Sequence, residues 1–213
     1  MMQRSLGRAA AAVMLAGAVM LGCGKGEEKF RAQLDPVVGK LTARANDAAA
    51  LTGGAPAAVI EKATALQTDL ASLGADLKAI AVDGDKQQAR MAAGQAYLSA
   101  IQRFVAAQQE FARSYARLEV ARVKVRESLD AKLRTSKFSL DFWKESHDRL
   151  LVEIDAARKE AEKARERLVG ITTGLQQAAD ATGSHLGRQA LVSPATLETH
   201  RKALAAVSLE KGA

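Results

Sequence analysis

Two stretches of this chain carry an apolar stripe that never loses its step. In about 86–135 it reads Tyr97, Ile101, Phe104, Gln108, Phe111, Tyr115, Leu118, Arg122, Val125 and Leu129, in alternating steps of four and three. In about 139–182 it reads Leu140, Trp143, His147, Leu150, Ile154, Ala157, Ala161, Ala164, Leu168, Ile171, Leu175 and Ala178. A repeat averaging 3.5 residues holds these side chains on one face of a slightly underwound helix, the condition for left-handed coiled-coil packing. At about 1.5 Å per residue the two helices would be roughly 75 and 65 Å long, against an ordinary mean of about three turns. Only Ser136 to Phe138 separates them, so the spacing predicts an antiparallel hairpin. It would set Ile101 or Phe104 opposite Ile171, and Tyr115 near Asp155 to Lys159. Composition agrees, because aromatics make up 4% and there are only three prolines, while Ala, Leu, Glu, Lys, Arg and Gln dominate. Such a mixture favours long helices over sheets.

Shorter segments flank this pair. Phe30, Leu34, Val37, Leu41, Ala48 and Leu51 keep close to one stripe, with Asp35-Pro36 reading as N-cap and first helical residue and Thr52-Gly53-Gly54 as the end. From Pro56 the residues Val59, Ala63, Leu66, Leu70, Leu73, Leu77 and Ile80 repeat the step up to a turn at Asp83-Gly84. Ser139 reads as the N-cap of the fourth segment, with Asp141 in its first turn and Thr182-Gly183 as its end. A last short helix is expected after Ser193-Pro194, using Leu197, Leu204 and Val207. The first two segments are long enough to cover only the end of the hairpin away from Phe138. That end becomes a four-helix bundle, and about 112–163 is left as a two-helix arm. The expected fold is all-α: an elongated helical bundle with a long antiparallel coiled-coil hairpin.

The N-terminus carries a different signal. Arg4 and Arg8 precede an uncharged run, Ala9 to Gly22, which closes in Met20-Leu21-Gly22-Cys23. The run is shorter than the about 20 residues that span a bilayer, and Cys23 has no second cysteine to pair with. This segment resembles the signal peptide and lipobox of bacterial lipoproteins, with Met20 standing where leucine is usual. The resemblance implies cleavage before Cys23, a diacylglycerol on its sulfur and an N-acyl chain, with no other cofactor. Two or more acyl chains hold a protein stably, at about 0.8 kcal/mol per buried methylene. Gly24 follows in place of the aspartate that retains many such proteins at the inner membrane. By that analogy the body faces the periplasm from the outer membrane. The chain then divides into a signal peptide (1–22), a lipidated tether (23–29), the bundle and hairpin (30–182), and a mobile connector with a short C-terminal helix (183–213).

No constellation for catalysis stands out. Ser146-His147-Asp148 holds the residue types of a hydrolytic triad, but consecutive helical residues point about 100° apart and cannot converge. His147 and His200 have glutamate two residues before them, the wrong spacing for a carboxylate-bundle iron site. No zinc-type spacing and no phosphate-cradling glycine loop occurs. We expect neither a metal site nor an enzyme. His147, between Trp143 and Leu150, reads either as a seam histidine facing a polar group or as a pH-responsive or ligand-contacting residue. Gln108 and Arg122 read as polar seam residues that set register.

The arm holds the candidate contact residues. From Arg113 to Lys137 the basic residues Arg113, Arg117, Arg122, Lys124, Arg126, Lys132, Arg134 and Lys137 outnumber Glu119, Glu127 and Asp130. They can pair across the hairpin, or form a surface for phospholipid headgroups worth about 1 kcal/mol per cation near an anionic membrane. Phe138 and Phe142 lie off the stripe at the tip, and either cap it or contact a partner, a second copy or a membrane interface. Export excludes nucleic acid. The expected function is that of a non-enzymatic, membrane-tethered envelope scaffold or adaptor that contacts a protein partner or its own copy through the arm. A membrane-surface or membrane-shaping dimer, BAR-like in shape alone, is the alternative. A small-ligand bundle with a pocket lined by Ala92, Ala93 and Ala96 is the second.

Overall fold

A computed structural model describes residues 6–51, 54–132, 140–187 and 191–210, with side chains from Gly26 onward. These residues form five helices and no strand: α1 (Leu6–Ala49), α2 (Pro56–Ala79), α3 (Asp85–Lys132), α4 (Leu140–Leu186) and α5 (Pro194–Ala205). The chain is an all-α helical bundle built round α3. That helix packs against α1, α2 and α4, while α1 and α4 do not approach each other and α5 stands between them. The burial pattern along α3 records the arrangement. From Gln87 to Ser114 it buries residues on several sides, whereas beyond Ser114 only Leu118 and Ala121 are buried.

The register of the α3–α4 hairpin can be read from its polar contacts. Glu110 pairs with Arg167, Arg117 with Glu160 and Lys124 with Glu153. Each step is seven residues on both helices, the heptad that the stripes predict. Phe104 therefore stands level with about 173, within two residues of the expected Ile171. Tyr115 stands level with about 162, past the expected Asp155 to Lys159.

Three boundaries differ from the sequence reading. Helix α1 does not begin at Asp35-Pro36; it runs through Pro36, taking residues 26–29 into the same helix. An interior proline costs about 3 kcal/mol through its lost hydrogen bond and the clash with the preceding turn. Phe30 and Leu34 before it, and Val38 and Leu41 after it, are all buried in one core. At about 1.5–3 kcal/mol for each such side chain, keeping the helix continuous outweighs breaking it. Helix α4 likewise does not end at Thr182-Gly183. Thr182 donates to the Ala93 carbonyl of α3 at 3.0 Å, and the helix continues to Leu186. Gly187 then ends it at φ +65°, with its N–H bonded to the Ser184 carbonyl, a conformation costly for any residue with a Cβ. Third, the residues after α5 pack down: Leu209 is buried, and 206–210 lie along the root of the arm.

The last carbonyls of α1 lie past the regular helical ladder; the Ala50 and Leu51 N–H groups bond those of Asn46 and Ala48, and other helices supply further donors. Gln108 Nε2 of α3 donates to the Ala48 carbonyl at 2.7 Å. His200 Nδ1 of α5 lies 3.3 Å from the Ala49 carbonyl, and its ring meets Phe104 edge-on at 5.0 Å. Burial pushes the His200 pKa below its ordinary value of 6.5; the Ala49 hydrogen bond opposes the fall and Arg201 adds to it. Below about 6.5 the unfolded ring takes a proton that the folded ring resists. Stability from this group is therefore complete above that pH and declines as the pH falls toward the folded value. Melting temperatures measured from pH 8 to pH 5 are expected to drop on the acid side, and His200→Phe to flatten the drop. An unchanged acid slope in the variant would assign it to other groups.

Candidate functional site

The arm is where the helical layers thin out. Towards its tip the stripe residues Leu129 and Leu140 are exposed, because two helices alone cannot enclose side chains of that size. The tip is held by polar contacts. Trp143 Nε1 donates to the Ser128 carbonyl at 2.7 Å, and Ser128 Oγ shares a hydrogen bond of 3.0 Å with His147 Nδ1. The Trp143 and His147 rings stack at 4.7 Å, and Lys132 Nζ sits 4.9 Å from the Trp143 ring centroid. Ser128 is thus the polar group facing His147 on the seam.

The candidate contact residues take different places. Arg117 and Lys124 are engaged across the hairpin, with Glu160 at 3.1 Å and Glu153 at 2.6 Å. Arg113 stands at the arm's root beside Glu110, Glu160, Lys163 and Arg167. Arg126 is exposed. Phe142 is 78% exposed, the most open large apolar side chain among the described residues. Phe138, Arg134 and Lys137, the proposed cap Ser139 and the side chain of Cys23 lie outside the described residues. Ala92 and Ala96 are exposed and Ala93 half-buried.

The two flanks of the arm are unlike. On one, Arg122 binds Glu119 and the Ser208 and Glu210 carbonyls, and Arg165 reaches the Val207 carbonyl. The C-terminal residues cover that flank. Five positions round the helix from Arg122, about 140° away, the other flank is a groove of about 440 Å³. Ala121 and Ala157 form its floor, Ala116, Val120 and Ala156 its apolar walls, and the Arg117–Glu160 and Lys124–Glu153 pairs its ends. Val120 is 56% exposed.

The sequence stripes passed over this groove because, Ala157 apart, it is made from positions off the seam. The signal was there in Val120, which with Val123 and Val152 beyond the groove lining makes three β-branched apolar residues on the outer faces of an arm otherwise rich in charge. All three are exposed. Arg122 was read as a seam residue setting register, yet it holds the tail, an interaction between positions too distant in sequence for any periodicity to reveal.

No group of acidic, histidine or cysteine side chains that could hold a metal occurs among the described residues, and no helix there is long and apolar enough to cross a membrane. No protein-family model matches the chain, and no curated protein or solved structure matches it.

Proposed function

We propose that this protein is a lipid-anchored component of the bacterial envelope, without enzymatic activity, that presents the hairpin arm to a protein partner. The observation that carries the reading is the uncovered groove beside Val120 and the bare aromatic at Phe142, both on an arm that outruns the rest of the bundle. The anchor belongs at the opposite end, since Cys23 precedes the bundle residues of α1 by a few positions. From Arg90, beside that end, to Lys132 at the tip is about 60 Å of helix. A partner held there sits well clear of the bilayer. Arg117 and Lys124 already neutralise carboxylates across the hairpin, so less free positive charge remains for anionic headgroups than the sequence alone suggests. That favours a protein over a lipid surface, and apolar residues ringed by ion pairs fit the core and rim of a protein interface.

The test is a photoreactive side chain at Phe142, crosslinked in intact cells. A discrete protein adduct is expected, and Val120→Glu with Val152→Glu should reduce it by tenfold or more, as removal of centrally placed contacts does. Adducts to lipid alone, or a protein adduct indifferent to both substitutions in a chain of unchanged helix content, would reject the reading.

A further inference from the structure

A cleft of about 240 Å³ opens where the α1–α2 turn, α3, α4, α5 and the C-terminal residues meet. Its position is independent of the arm groove. Its walls are apolar: Leu51, Val59, Leu204 and Val207 stand round the Phe111 and Tyr115 rings, which stack at 6.1 Å. No carboxylate, ammonium or guanidinium group lines it. Burial also holds His200, in its wall, toward the neutral form.

One residue that lines the cleft has a polar atom unaccounted for. The Gln108 side chain is 3% exposed. Its Nε2 is identified by the 2.7 Å bond to the Ala48 carbonyl, since only the amide nitrogen can donate there. Its Oε1 is therefore the other end of the amide of a residue that lines the cleft; it is buried, and no described protein group donates to it. A buried carbonyl without a donor costs about 1–3 kcal/mol, so a group that supplies the donor while filling apolar space is favoured twice. We infer that this cleft binds a compact, neutral and largely apolar molecule carrying one hydroxyl or N–H group, which donates to Gln108 Oε1. Benzene fits a cavity of about 150 Å³, so the cleft suits a ring with a short alkyl chain. A charged ligand is excluded by the cost of desolvating it without a counter-charge.

The experiment compares 4-ethylphenol with ethylbenzene on the whole chain held in lipid nanodiscs, read by methyl NMR of its valines and leucines, with empty nanodiscs as the blank. The phenol is expected to shift the methyls of Val59, Leu204 and Val207 and to bind at least tenfold tighter than the hydrocarbon. Gln108→Leu should abolish that preference. Equal affinities, binding that leaves those three methyl groups unmoved, partition into the nanodisc alone, or a preference that survives Gln108→Leu would each overturn the proposal. Should Gln108→Leu fail to fold, the wild-type comparison and its methyl shifts decide alone. The arm reading is untouched by either result, because Val120 and Phe142 lie outside this cleft.

Discussion

Replacing Phe104 with alanine is expected to cost about 3–5 kcal/mol of folding free energy, the range for deleting a buried aromatic from a core that relaxes only partly. Phe104 is fully buried, on the helix that every other long helix packs against. Its ring also supports the edge of His200, through which α5 reaches the end of α1. The loss therefore spreads beyond one side chain: an emptied space beside His200 loosens the short helix that fills the gap between α1 and α4. Against a total stability of about 5–15 kcal/mol, such a change lowers the melting temperature on the order of 10 °C. Urea unfolding followed by circular dichroism measures it directly. Val123→Ala, an exposed position on the same helix, is the matched control and should stay within about 0.5 kcal/mol of the parent. A loss below about 1 kcal/mol for Phe104→Ala would mean that α3 is not the centre of the packing.

The parts of this structure that were legible in the sequence are those decided by local repetition. Steps of four and three put Tyr97, Ile101, Phe104 and Leu118 on one buried line, and the same steps put Ile154, Ala157, Ala161 and Leu168 on the line facing it. The ion pairs seven residues apart follow from nothing more than that repeat. Local punctuation was less dependable, because its energies are smaller than those of burial. Pro36 and Gly183 both read as breaks, yet each lies inside a helix whose apolar face continues past it. Gly187, four residues later, is the true stop, since the stripe has run out by then. The candidate sites were the least legible. Gln108 is polar on an apolar stripe, which marks it as unusual, but only the approach of the end of α1 shows that its amide nitrogen caps a carbonyl there. The groove beside Val120 depends on which flank the tail leaves open. The cleft depends on several segments meeting, and periodicity along one helix carries no information about either.

Glu27→Ala is the second substitution with a large expected effect, and it bears on the proposed attachment of the body to a membrane. Arg90 of α3 is nearly buried, its side chain 8% exposed, and it is paired with Glu27 and bonded to the His185 carbonyl at 3.1 Å. Removing the carboxylate leaves a guanidinium short of water with no counter-charge. For a wholly buried pair that costs about 3–5 kcal/mol; Glu27 is 24% exposed, so some water already reaches the site and about 2–3 kcal/mol is the expected loss. Arg90→Met removes the stranded charge, and the double variant should recover most of the difference, since an apolar side chain of similar length fills the space without needing a partner. A single variant that loses nothing, or a double variant no better than the single one, would show that the pair is a surface contact of little consequence. Glu27 lies four residues beyond Cys23, at the junction expected from sequence to be a lipidated tether. A contact that joins this junction to α3 and to the end of α4 would, in the proposed lipid-anchored protein, fix the direction in which the bundle leaves its anchor. Breaking it should therefore reduce the photocrosslinking yield at Phe142 in cells, where a fixed reach matters, more than it reduces the fraction of folded protein.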